Sequence, residues 1–192
     1  MGEISLCTRV TRGCYGRPRE PLPLVVGDLF PPVVGHSKYA VWGVRLHPFE
    51  RGHASKAGAF DDSVLLDLFP ICQLGQALEM LKGSRPPDEK LFNFTPKEWR
   101  QMLQAATMHL GLNTRKLSLY ELRHSGPSND LFHRRRSLNE VKRRGRWGFD
   151  GSVRRCEKRG RLAEQMSSLS RPLQRRALSS IVVVQSRLCE GW

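Results

Sequence analysis

The stretch GRWGFDGSVRRCEKRGRL, residues 145–162, decides how this chain is read. A short run crowded with arginine carries a thiol, Cys156, beside Arg155, Lys158 and Arg159. Three readings compete. Cationic neighbours lower a thiol's pKa, so Cys156 could be a reactive nucleophile. It could be a small buried side chain with no chemistry. Or it could stand in the place of another residue type. Just upstream lie YELRHS (residues 120–125) and two basic runs, HRRR (133–136) and KRRGR (142–146). Ser118 with Glu121, and Ser137 with Glu140, have capping-box spacing, so a helix is predicted after each.

Further upstream the pattern is mixed. The segment to about Pro32 is rich in Pro and Gly, and Pro18, Pro21 and Pro23 would each interrupt a helix by removing an amide donor. KYAVWGVRLH (Lys38–His47) and DDSVLLD (Asp61–Asp67) read as two strands, joined by a long connection containing Gly52 and Gly58. QLGQALEMLKG (Gln73–Gly83) places Leu74, Ala77, Leu78 and Leu81 on one helical face and stops at Gly83. Thr95, Pro96 and Glu98 form a complete helix start, followed by an apolar stripe of Trp99, Met102, Leu103 and Ala106 that is expected to face the core. From about residue 165 the periodicity fades into Ser and Arg, and residues 165–192 are expected to form a basic, poorly ordered tail.

The totals narrow the function classes. Hydrophobic residues make up 39% of 192, enough for one packed domain. Thirty-two Lys and Arg face 18 Asp and Glu, and residues 115–187 alone hold 19 basic and 6 acidic side chains. A basic second half points to a polyanion, nucleic acid or an anionic surface. No apolar run is long enough to span a bilayer, and the N-terminus lacks an apolar signal core. The five cysteines (Cys7, Cys14, Cys72, Cys156, Cys189) form no CxxC pair and no metal-ligand spacing, so no metal and no cofactor are expected and the thiols fit an intracellular setting.

Taken in order, YGRPRE (residues 15–20), SKAG (55–58), YELRHS and RRGRW followed by SVRRCEK resemble the catalytic domain of the tyrosine recombinases, the phage-integrase family. The first is similar to the family's Arg-x-x-Glu box, and the second to the hairpin segment that carries its lysine. In the third, Arg123 fits the box arginine, Trp147 the His/Trp position, and Cys156, nine residues on, the place of the nucleophilic tyrosine. The resemblance covers about residues 13–165. The family's separate N-terminal DNA-clamping domain has no counterpart here, and the expectation is a truncated, degenerate or mobile-element-derived copy. The expected fold is α+β, mainly α, with a recombinase-like helical domain over residues 1–164 and a small β-hairpin or sheet.

The resemblance implies DNA breaking and rejoining, through a covalent 3′-phosphotyrosyl intermediate and without metal or nucleotide. By it, Arg17 and Arg123 would grip the non-bridging oxygens of the phosphodiester, since guanidiniums suit charge building on a phosphorane-like transition state. Lys56 would protonate the leaving 5′-oxygen and Trp147 would donate through its indole N–H. Tyr120 holds the family's first His position, and its phenol is a poor proton shuttle at neutral pH. Arg134, Arg135, Arg136, Lys142, Arg143, Arg144, Arg146, Arg154 and Arg155 would contact phosphates of double-stranded DNA, and oligomers on DNA are possible.

Plainer readings stand beside each of these. They make Arg17 and Lys56 surface cations, Arg123 an ion-pair partner, Trp147 and His124 packing residues, and the basic runs solvated faces or a nuclear address. With a cysteine sulfur reaching roughly 4 Å less far than a tyrosine oxygen, and ~1 Å of misplacement already costly, the expectation is a DNA-binding relic impaired in cleavage. The alternatives are strand exchange with Cys156 as an unusual nucleophile, and a basic nucleic-acid-binding protein unrelated to recombinases. A eukaryotic setting would make the location nuclear, and otherwise the cytoplasm or nucleoid.

Overall fold

The computed structural model describes residues 2–35, 40–56, 58–67, 73–112, 117–157, 159–177 and 179. The chain begins with a helix, α1 (Glu3–Gly13), that no capping residue announces: Gly2 precedes it and contributes no side-chain cap. Burial holds it instead. Leu6, Cys7, Val10 and Thr11 recur at helical spacing and face the core, and the hydroxyl of Thr11 donates back to the Cys7 carbonyl at 2.8 Å. The prolines from Pro18 onwards then keep residues 14–25 in turns rather than helix.

A three-stranded antiparallel sheet follows, in the order β1 (Leu29–Phe30), β2 (Gly43–Leu46), β3 (Asp62–Leu65). The β2–β3 register pairs Leu46 with Asp62, so the long connection carrying Lys56 leaves from His47 and returns at Asp61. Both of those residues have positive φ, 52° and 53°, a conformation L-residues adopt at a cost, and it turns the chain sharply out of each strand. Part of the predicted first strand, Lys38 and Tyr39, lies outside the described residues, as do Cys72 and Cys189.

Helix α2 (Leu74–Lys82) buries Leu74, Ala77 and Leu78 against α1 and β1. Helix α3 (Pro96–His109) starts as its sequence predicts, with the Thr95 hydroxyl accepting from the Glu98 amide and the Glu98 carboxylate accepting from the Thr95 amide at 2.7 Å. Its core face is rotated from the expected stripe. Trp99, Leu103 and Thr107 face inward, while Met102 and Ala106 are exposed. The buried Trp99 anchors it, its indole N–H donating to Thr8 of α1 at 2.9 Å.

Helices α4 (Leu119–Phe132), α5 (Leu138–Arg144), α6 (Asp150–Arg154) and α7 (Arg159–Ser167) complete the described chain, with residues 171–177 again helical. The chain is therefore mainly helical with one small antiparallel sheet. Helix α4 continues through Pro127, which has no amide to give to the carbonyl of Arg123. Tight packing offsets that loss. A Cβ at Gly126 would collide with the carbonyl of Arg12 and lie 2.8 Å from the Tyr15 ring, so α4 and the end of α1 touch backbone to backbone. Two apolar clusters result. One gathers α1, α2, the sheet and Trp99; the other gathers Tyr15, Leu131, Val141, Val153 and Cys156. Helix α4 serves both, with Leu119 in the first and Leu131 in the second.

Candidate functional site

The site is built around a buried carboxylate, Glu20, in the turn after α1. Its Oε2 accepts from the Arg17 amide at 2.7 Å and from Arg146 Nη2 at 2.6 Å, and its Oε1 accepts from Arg17 Nη1 at 2.8 Å. Arg123 Nη1 lies 3.9 Å from Oε2, and His47 Nε2, just past β2, lies 3.8 Å from Oε1. Burial alone would raise the Glu20 pKa. Arg146, the Arg17 amide, Arg17 and Arg123 together outweigh it and hold the carboxyl below its ordinary range.

Arg146 reaches this point because of its backbone. It follows α5 and Gly145 with φ 54°, which swings its side chain back under the helix, where Nε also sits 3.6 Å from Asp62 of β3. The sheet and the C-terminal helices are thereby tied to the same carboxylate.

Arg123, on the inner face of α4, is only 1% exposed. Its Nη2 donates to the Gly145 carbonyl at 2.6 Å, and its guanidinium carbon lies 4.7 Å from the Trp147 ring centroid. Its Nε and Nη1 are buried and, among the described residues, have no hydrogen-bond partner. Burial and the neighbouring Arg17 lower its pKa to about 10, with Arg146 adding to the effect and Glu20 and Tyr120 opposing it. A guanidinium that is still cationic at neutral pH, with Nε and Nη1 free to donate, is suited to bind an anion.

The aromatic wall continues from Trp147. His124 stacks on it at 6.4 Å and 16°, and the half-exposed Tyr120 meets His124 edge-on at 5.0 Å. On the other side of His124, Nδ1 lies 3.3 Å from the sulfur of Cys156. Burial raises the Cys156 pKa, while a hydrogen bond with Ser128 and the charge of Arg123 pull the other way without cancelling it. Burial likewise lowers the His124 pKa, helped by Arg123 and Arg155. The pair is thus a neutral thiol beside a neutral imidazole. With Cys156 3% exposed, its sulfur does not face a surface where a polymer could lie.

The structure therefore brings Arg17, Arg123, Trp147, Tyr120 and Cys156 into one chain of contacts. Lys56 is exposed on the β2–β3 connection, and among the described residues no hydrogen bond or ion pair ties it to this cluster. Of the arginines and lysine assigned to DNA contact, Arg134, Arg135, Arg143, Arg154 and Arg155 are exposed. The others are engaged internally. Lys142 pairs with Asp150 at 2.6 Å, Arg136 with Asp67 at 2.8 Å and Asp130 at 3.0 Å, and Arg144 with Asp67 at 2.9 Å. Arg144 also donates to the carbonyls of Gly13 and Leu65, and Asp130 accepts from the Tyr15 hydroxyl. These residues hold α1, β3, α4 and α5 together.

The sequence gives Glu20 no role beyond its place in the Arg-x-x-Glu box, His124 only a packing or supporting one, and Arg146 a phosphate contact that it shares with the rest of its basic run. Only the fold shows that all three border Arg123. Among the described residues, no group of His, Cys, Asp or Glu side chains is placed to hold a metal, and no helix is long and apolar enough to cross a membrane. No family model, no curated protein and no solved structure matches the chain.

Proposed function

We propose that the chain binds double-stranded DNA through its basic second half and seats one backbone phosphodiester at Arg17, Arg123 and Arg146. In this it would follow the DNA breaking-and-rejoining enzymes that its motifs resemble, with strand cleavage lost. One observation carries the reading. Arg17, Arg123 and Trp147, spread over 131 positions of sequence, meet around a guanidinium that is buried with two unfilled donors. Glu20 pairs with Arg17 and Arg146 but stops short of Arg123, and a buried guanidinium without a bonded anion is costly. The loss of cleavage follows from Cys156, whose thiol is buried, protonated at neutral pH and short of the reach of a tyrosine.

The test has two parts. Binding to duplex DNA, followed by fluorescence anisotropy over a salt series, should show affinity falling steeply with salt as phosphate contacts release counterions. Indifference to duplex DNA at low ionic strength ends this reading. A nicked suicide duplex, which traps a covalent intermediate, should give no adduct with the wild type. A second reading, strand exchange through Cys156, is favoured by its contact with His124, which could accept the thiol proton. An adduct that disappears in Cys156→Ser would establish it.

A further inference from the structure

We propose that Glu20 is the built-in occupant of the anion seat, and that a phosphate group binds there by displacing its carboxylate. The inference rests on the phosphodiester reading above and adds how the seat is filled in its absence. Glu20 makes the contacts a bound oxyanion would make: Arg17 on one oxygen, Arg146 and the Arg17 amide on the other. Yet it fills the seat incompletely. Held close to Arg17 and Arg146, the carboxylate stops short of Arg123, whose Nη1 remains 3.9 Å away and, among the described residues, unbonded. A phosphate group is larger and tetrahedral, so its oxygens are spread more widely than those of a carboxylate and can reach Arg123 as well.

Charge points the same way. Three guanidiniums face Glu20 and, at 3.6 Å from Arg146, Asp62. One positive charge is left over. Exchanging the carboxylate for a phosphodiester keeps that balance, and exchanging it for the dianion of inorganic phosphate brings the cluster to neutrality. Solvent reaches the cluster at Arg17, whose side chain is 27% exposed, whereas Arg123 is closed in. Entry therefore runs past Arg17, and the carboxylate must swing out toward solvent to admit the ligand.

The experiment compares wild type with Glu20→Gln, using inorganic phosphate as the probe and chloride at matched ionic strength as the control. Thermal melting reads phosphate binding as a saturable upward shift, since a ligand that binds only the folded state stabilises it. Glu20→Gln should bind phosphate at least about tenfold more tightly than wild type, and adding Arg17→Ala should weaken that binding again. Equal phosphate responses in wild type and Glu20→Gln overturn the proposal. If Glu20→Gln is unfolded in chloride, recovery of a cooperative melt in phosphate supports it. If it is unfolded in both salts, Glu20→Asp, one methylene shorter, is read instead: a phosphate response above wild type supports the exchange and its absence overturns it. Duplex binding by the wild type is measured separately. Failure there with a phosphate response in Glu20→Gln discards the DNA reading alone, and DNA binding without that response discards the exchange alone.

Discussion

Replacing Arg123 with methionine should separate binding from folding, and the size of the effect follows from its surroundings. The substitution removes the charge-assisted bond to the Gly145 carbonyl, a loss of about 1.5–3 kcal/mol. It also removes the cation over the Trp147 ring, a loss of about 2 kcal/mol at a desolvated site. Against this, Nε and Nη1 are buried and unpartnered, and relieving each returns about 1–3 kcal/mol. Glu20 keeps its counter-charges, because Arg17 and Arg146 hold it more closely than Arg123 does. The sum is close to zero, and a methionine of similar length fills the space. Arg123→Met should therefore unfold within ~2 kcal/mol of wild type, or within about 8 °C in melting temperature for a chain of this size. Duplex affinity should fall about 10- to 100-fold, with a shallower salt dependence, as one phosphate contact is lost. Denaturant melts and anisotropy on the same preparations measure both. A variant that does not fold would make Arg123 a structural keystone, and unchanged affinity would remove it from the anion seat. Either result refutes the reasoning.

Other outcomes follow from the same geometry. Gly126→Ala drives a methyl group into the Arg12 carbonyl and the Tyr15 ring, so it should destabilise by about 1–3 kcal/mol in a denaturant melt despite the better helix propensity of alanine. Because the Glu20 pKa is depressed on folding, its contribution is complete above the unfolded value of about 4.3 and is lost as pH falls below it. The stability difference between wild type and Glu20→Gln should accordingly be flat above about pH 5 and shrink below about pH 4, and a constant difference down to acid pH would contradict the pairing. Cys156, buried and with a raised pKa, should react with iodoacetamide at pH 8 at least about tenfold more slowly than a free thiol, read by mass spectrometry of the peptide that carries it.

The capping boxes at Thr95, Ser118 and Ser137 were legible because each places its signal within four residues, and α3, α4 and α5 begin there. Helix α1 was not, since nothing local marks its start and only the burial of Leu6, Cys7 and Val10 explains it. A two-residue strand such as Leu29–Phe30 carries no periodicity to read. On α3, Met102 looked like a core residue until Thr107 took part of the inner face. In the site, spacing along the chain singled out Arg17, Arg123, Trp147 and Cys156. The bond from Arg146 to Glu20 spans 126 residues, and the turn that makes it depends on a positive φ that no residue type announced. Lys56 shows the converse, since the hairpin that carries it formed and yet no contact draws the lysine to the guanidiniums.

The hydrogen bonds from Tyr15 to Asp130 and from Arg144 to Gly13 close loops of 115 and 131 residues. Contacts this distant along the chain cannot form until most of it has been synthesised, and they give no reward for the ordering that precedes them. On the ribosome, Tyr15 and the Gly13 carbonyl must wait for α4 and α5 to emerge before they meet Asp130 and Arg144. The nascent amino-terminal half can bury Leu6, Cys7 and Val10 against α2 and the sheet, but Tyr15 and the end of α1 that meets Gly126 stay uncovered until the second half arrives.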